Sequence, residues 1–235
     1  MNNVKQNRQK KRKHTIWINL MIIILLLLGT ALVFNKQIES FWLQWTGQQK
    51  VTTITRSEVV KAQKIKGQYD SDAVKALSLD AMLAAQKAKN QYAIGVISIP
   101  AVGIKLPIYK GMTNITLAIG AGTMKPNQRM GKANYALAGH HMANPQILFS
   151  PLSNIENGDK IYLTNLKKVY TYQVRQHRIV SETQGDIINN HPKKTEITLI
   201  TCASGTPGET RRIAVTGDYQ KQQKLTKSVY QHYFN

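Results

Sequence analysis

The sequence predicts a mostly-β domain, a barrel or a sandwich, preceded by an N-terminal transmembrane helix. Two observations predict the domain. Seven or eight short runs rich in β-branched and aromatic residues follow one another through residues 91–235, and helical signals in that stretch are confined to small pieces. A third observation predicts the helix: residues 16–34 form a 19-residue run without a charge.

In chain order, residues 1–15 carry Lys5, Arg8, Lys10, Lys11, Arg12 and Lys13 and no acid. The uncharged run begins at Ile16, and as a helix rising ~1.5 Å per residue it would be about 28 Å long, close to a hydrocarbon core. Asn19 sits near its entry, and Trp17, Trp42 and Trp45 have the placement of interfacial anchors. The basic cluster before the run puts the N-terminus in the cytoplasm, making a single-pass cell-membrane protein with everything after about Asn35 extracytoplasmic. A cleaved signal peptide is the competing reading. The run is long for that, and Thr30-Ala31-Leu32 is only a poor cleavage site.

Residues 35–90, rich in Gln, Lys, Ala, Ser and Thr, read as an extracytoplasmic stalk with two short helices, Ser57 to Ile65 and Ser78 to Lys89. In the second, Ser78 serves as N-cap and Asp80 lies in the first turn. The domain proper occupies residues 91–235. Ile94 to Ile99 is a strand stopped by Pro100. Ile104 to Tyr109 follows, and its internal Pro107 favours an edge or a bulge. Further strands are expected over Tyr135 to Ala138, Lys160 to Leu163, Val169 to Val180, Thr195 to Thr201 and Arg212 to Thr216. Asn157-Gly158-Asp159 forms a tight turn, and Gln220 to Asn235 reads as a polar tail.

The chain has 32 Lys+Arg against 12 Asp+Glu, a formal charge of +20. Without the six basic residues of the tail, 26 remain against 12 acids, or +14. Such a surface suits an anionic neighbourhood, a membrane face or cell-wall polyanions. No nucleic-acid motif accompanies the charge, which is spread along the chain, so no nucleic-acid partner is expected.

Chemistry concentrates at Cys202, the only cysteine, at the end of the apolar run Ile197 to Cys202. Outside the cytoplasm a lone thiol is an inert core residue, an intermolecular link or a reactive group. Thiol catalysis needs an acid/base within reach of the sulfur and a donor for the oxyanion. Of six histidines, His14 and His232 lie in the tails, His177 falls mid-strand on a solvated face, and His191 lies in a loop before Pro192. His140 and His141 instead follow Tyr135 to Gly139, a strand closing on glycine, so an imidazole stands at a strand exit as Cys202 does. Adjacent histidines seldom point the same way and no acid lies near them, which argues against a metal. The small-residue loop Ala203 to Thr210 leads to Arg211-Arg212 at the start of a strand; an arginine there could stabilise an oxyanion and bind substrate carbonyls.

These motifs carry a family resemblance. Thr198-Leu199-Ile200-Thr201-Cys202 matches the Thr-Leu-x-Thr-Cys signature of sortases, Leu137-Ala138-Gly139-His140 their histidine motif, and Arg212-Ile213-Ala214-Val215 the arginine strand. Ile108-Tyr109-Lys110-Gly111, Gly120 to Met124 and Leu148 to Leu152 are similar to class A members, and the resemblance covers roughly residues 78–220. It implies an eight-stranded sortase β-barrel with short helices. It also implies a cysteine transpeptidase that cleaves a Leu-Pro-x-Thr-Gly sorting signal between Thr and Gly through a thioacyl-enzyme. The acceptor would be the amine of a lipid-linked peptidoglycan precursor. On this chain Cys202 would be the nucleophile, His140 the acid/base with His141 in support, and Arg212 the oxyanion ligand, with Arg211 as the alternative.

The resemblance further implies a groove walled by the segment Ile179 to Asn190 and bordered on the amine side by Ala203 to Thr210. Its candidate lining residues are Ala138, Thr201, Ile179, Val180, Ile187 and Ile188. Some class A members bind calcium through acids in the loop before the histidine strand. Here that loop, Lys125 to Lys132, has no carboxylate. Neither a metal nor another cofactor is expected. A sortase of another class, such as a pilin polymerase, and a catalytically silent wall-binding β-domain are the alternative readings.

Overall fold

The computed structural model describes residues 2–34, 51–70, 91–206 and 208–234. Its strands are β1 Gly95–Ile99, β2 Ile104–Tyr109, β3 Ala121–Thr123, β4 Asn134–Ala138, β5 Lys160–Thr164, β6 Lys168–Ser181, β7 Glu196–Cys202 and β8 Arg211–Lys224. They close into a barrel in the order β1-β2-β3-β4-β7-β8-β6-β5. Helices are α1 Asn2–Val33, α2 Arg56–Lys64, α3 Asn114–Ile119 and α4 Lys227–Phe234, with short 3-10 turns at Pro100–Val102, Ser150–Asn154 and Gly185–Ile188. Residues 1–42 and 43–235 form separate compact units.

The N-terminal expectation is corrected. Helix α1 runs unbroken from Asn2 to Val33, so the apolar stretch is not a separate span beginning at Ile16. Lys, Arg and Gln are good helix formers, and nothing in the basic tail stops the helix. Six basic residues therefore belong to the same element as the apolar half. Among the described residues no helix is long and apolar enough to cross a membrane. The transmembrane segment 16–34 is overturned by that finding, as are the single-pass topology, the membrane as a partner and the cytoplasmic and extracytoplasmic assignments that rested on it. The helix expected over Ser78 to Lys89, together with Trp42 and Trp45, lies outside the described residues.

Period-2 alternation builds the barrel. Ile97, Ile108, Tyr135, Leu137, Ile161, Leu163, Tyr172, Leu199 and Val215 point inward to one core. Pro107 is accommodated because β3 joins β2 only at Ile108 and Tyr109, so at the proline β2 is paired with β1 alone. The tight turn forms where the Asn-Gly-Asp sequence placed it, with Gly158 at φ 102°. Strand β8 runs eight residues beyond Thr216, and bulges at Thr171/Tyr172 and Val174/Gln176 keep the long β6 paired to it.

A second core lies outside the barrel. Val51, Ile54 and Val59 pack with Val96, Tyr109, Val169 and Phe234, and α2 enters through a capping box between Thr55 and Glu58. The segment read as a polar tail is therefore in part structural. It ends in α4, where Phe234 is fully buried, Tyr230 Oη donates to the Val51 carbonyl and Tyr233 stacks on Tyr162.

Candidate active site

The site is built by strand register. Strands β4 and β7 run parallel with Ala138 opposite Ile200, and the Gly139 N–H donates to the Ile200 carbonyl at 3.1 Å. His140 and Cys202 each follow that level by two residues. They therefore leave the barrel at the same height on neighbouring strands, which in a sheet lie about 4.8 Å apart. On the other side β8 runs antiparallel to β7 with Arg212 directly opposite Cys202, so their side chains share a face. The backbone positions of His140, Cys202 and Arg212 thus share one barrel rim.

Gly139 is required by packing. A Cβ there would lie 2.6 Å from the Phe149 ring, and Phe149 closes the loop by donating its N–H to the His140 carbonyl at 3.0 Å. Gly205 plays the same part across the rim. A Cβ there would lie 2.6 Å from the Ala143 nitrogen, so the loop after Cys202 packs directly on the loop after His141.

The histidines separate by environment. His140 has its Nε2 enclosed with no hydrogen-bond partner, and burial pushes its pKa down to about 4. The imidazole is thus neutral and its enclosed nitrogen uncommitted at ordinary pH. His141 turns the other way: its Nδ1 donates to the Cys202 carbonyl at 2.7 Å and buttresses the strand end. His191 is in a loop, as expected, and pairs with Glu196. His177 departs from its expected solvated face. It is half-buried with an enclosed, unpartnered Nε2, because the bulge before Gln176 turns it toward the side of Val215.

The arginines also separate. Arg211 is opposite Ser181, and its exposed guanidinium is held by both carboxylate oxygens of Glu209 at 3.0 and 3.1 Å. Hydrogen bonds from Arg211 and Ser204 hold the Glu209 carboxyl down at about 2. Arg212 is less exposed and pairs with Glu182 at 2.6 Å while donating to the Glu209 and Arg211 carbonyls. Its backbone is opposite Cys202, but its guanidinium is held by Glu182 and the Glu209 and Arg211 carbonyls and is not hydrogen-bonded to the thiol.

An apolar floor extends from Cys202 along the outer face of the same sheet. Val180, Ile200 and Ala214 form it, with Met124, Ile187 and Ile188 against them. Three of the six candidate lining residues thus come together: Val180, Ile187 and Ile188. Ala138 is half-buried at the end of β4. Thr201 is 2% exposed and lies opposite Ile213 on the interior side, because it alternates with Cys202. Ile179 alternates with Val180 and is 60% exposed, so it does not join the cluster.

Two residues that sequence reasoning passed over hold this floor in place. Asn134 is buried, and its amide donates to the Ile187 and Asn189 carbonyls at 3.2 and 3.1 Å while accepting from Thr198. Lys125 donates to the Ile188 carbonyl and to Asn190 Oδ1. Burial lowers the Lys125 pKa, and Glu196 works against that shift. Burial pushes the Glu196 carboxyl up, but hydrogen bonds from His191 and Arg175 leave it below its ordinary value. No sequence signal marks Asn134, since its partners are backbone carbonyls more than 50 residues away.

The family described as sortase domain matches residues 97–220. A sortase A of Streptococcus agalactiae is 39% identical over 226 residues, covering 91% of this chain and 90% of the relative. A sortase A of Listeria monocytogenes is 35% identical over 214 residues, covering 90% of this chain and 96% of the relative. A solved structure of a Listeria monocytogenes sortase A, 42% identical, superposes with a TM-score of 0.59 over 60% of this chain and 97% of that one. Sortase C-3 of Streptococcus pneumoniae, at 21% identity and a TM-score of 0.59, shares the fold.

Proposed function

The chain belongs to the sortase family, and from that premise we propose that Cys202, His140 and Arg212 are its reaction centre. Its similarity over most of its length is to sortase A proteins, which makes it a class A member. It is a cysteine transpeptidase acting on proteins that bear a Leu-Pro-x-Thr-Gly signal, with a peptidoglycan precursor as the second partner. Residues 91–235, which hold all three residues, are its catalytic domain; residues 35–90 lead into it.

The observation that carries the residue roles is the shared level of the three positions at one barrel rim. The sorting peptide lies on the apolar floor of Val180, Ile200 and Ala214 under Ile187 and Ile188, which suits its Leu-Pro. Cys202 Sγ attacks the Thr carbonyl as neutral His140 takes the thiol proton. Arg212 stabilises the oxyanion with its fixed charge. The intermediate collapses, the Thr–Gly bond breaks, and His140 gives its proton to the leaving glycine amine. A thioacyl-enzyme remains. His140, neutral again, then takes a proton from the incoming amine as it attacks the thioester, and returns that proton to the departing sulfur.

The neutral form of His140 accepts the proton of the thiol and later that of the incoming amine, and the protonated form in between serves the leaving glycine amine. The test is incubation of the full chain with a Leu-Pro-x-Thr-Gly peptide and hydroxylamine. Threonine hydroxamate should form, and none should form with Cys202→Ala. Undiminished product from that variant would refute the assignment.

A further inference from the structure

Outside the reaction centre, two adjoining clefts of about 560 and 380 Å³ open on the loop before the histidine strand. They share Lys125, Arg129 and Lys132, and Lys110 lines the larger one. No Asp or Glu lines either cleft. Among the described residues none of the four cations makes an ion pair. Lys110 Nζ donates to the Gln63 carbonyl, and Lys125 Nζ to the Ile188 carbonyl and the Asn190 amide oxygen. These acceptors are neutral and leave the charges uncompensated. The carboxylate that acts on Lys125, Glu196, is already held between Arg175 and His191. A turn pairs Arg129 with Lys132 as an isolated bridge, which sets the two side chains on the same side of the backbone.

Four cations drawn into one concave space repel one another, and low-dielectric walls strengthen the field between them. A cleft of this kind gains most from a ligand carrying more than one negative charge. We propose that the paired clefts bind a phosphate-class anion, a diphosphate or a short run of phosphodiesters. Arg129 would supply a planar fork for phosphate oxygens, and Lys110 and Lys132 would act as point charges. Tyr69 also lines the larger cleft. The two joined spaces allow two phosphate groups to be held at once. None of these residues belongs to the reaction centre; Lys125 also tethers the turn of Ile187 and Ile188, so the variants that test the site are placed at Arg129 and Lys132.

The test is isothermal titration of the full chain at low salt with sodium pyrophosphate and, separately, with a glycerol-phosphate oligomer. Binding of at least one probe is expected, weakened about tenfold or more in Arg129→Gln/Lys132→Gln. The control Lys221→Gln/Lys224→Gln, which removes two exposed charges on β8, should weaken it less than about twofold. Peptide turnover without added anion should be unchanged in both double variants and reports that they fold. Tighter binding of the oligomer identifies a phosphodiester chain as the ligand, tighter binding of pyrophosphate a diphosphate headgroup, and either supports the site. Failure of both probes to bind, or equal losses in the two double variants, would overturn it.

Discussion

Strand position separates two neighbours of the same residue type, which sequence alone leaves interchangeable. Arg211 and Arg212 are adjacent and each pairs with a glutamate, yet only Arg212 shares a face with Cys202. Arg212→Ala should therefore lower kcat/KM for the sorting peptide by roughly 10²–10³, the cost of removing an oxyanion donor. Arg211→Ala should stay within about threefold, since its contact is an exposed ion pair. Steady-state kinetics on both variants checks this, and the reverse ranking would move the role to Arg211. His140 gives a pH prediction. Its folded pKa, about 4, lies below the unfolded value near 6.5, so the unfolded chain binds the extra proton between them. This part of the stability is complete above about pH 6.5 and is lost as pH falls toward 4, amounting to roughly 3 kcal/mol at most. Urea titrations across that window should show a flatter slope for His140→Gln; an unchanged slope would mean that another group is responsible.

At the scale of elements, the strands were legible because alternation and β-branching report a half-buried pleated surface. Strands β1, β2 and β4 to β7 were legible to within a residue or two of their ends, and the helix at α2 likewise. Strand β3 was missed because three residues carry no period. The continuation of β8 past Thr216 was missed because its polar residues read as a tail, and α4 because its aromatic face follows a polar stretch. Phe234→Ala should cost about 3–5 kcal/mol, the range for emptying a buried aromatic site, measurable by urea denaturation. A loss under ~1 kcal/mol would show that α4 is not anchored there. The 3-10 turn that carries Ile187 and Ile188 depends on Asn134. Asn134→Ala removes the donor to the part-buried Ile187 and Asn189 carbonyls and the acceptor of the buried Thr198 hydroxyl; it should raise KM for the peptide several-fold, with a smaller effect on kcat and a stability loss of about 1–3 kcal/mol. An unchanged KM would detach that turn from substrate binding.

For the whole molecule, the topology does what the sequence could state only by resemblance. The signature runs identified the nucleophile and acid/base candidates, but their meeting depends on β4 and β7 being parallel neighbours, a non-local pairing that no local pattern encodes. The tether through Lys125 and Asn134 was illegible for the same reason. At the N-terminus the sequence reading erred by treating an apolar run as a unit, whereas α1 continues through the basic residues before it. On the proposed roles this barrel rim makes a thioester on Cys202, with His140 as its proton carrier. Intact-mass spectrometry of the full chain, acid-quenched during turnover of a Leu-Pro-x-Thr-Gly peptide, tests it most directly. The expected result is an adduct with the mass of the peptide up to threonine, mapped to Cys202, absent in Cys202→Ala and accumulating at least ~100-fold more slowly in His140→Gln. Turnover with no adduct on Cys202, or an adduct forming at the normal rate in His140→Gln, would contradict it.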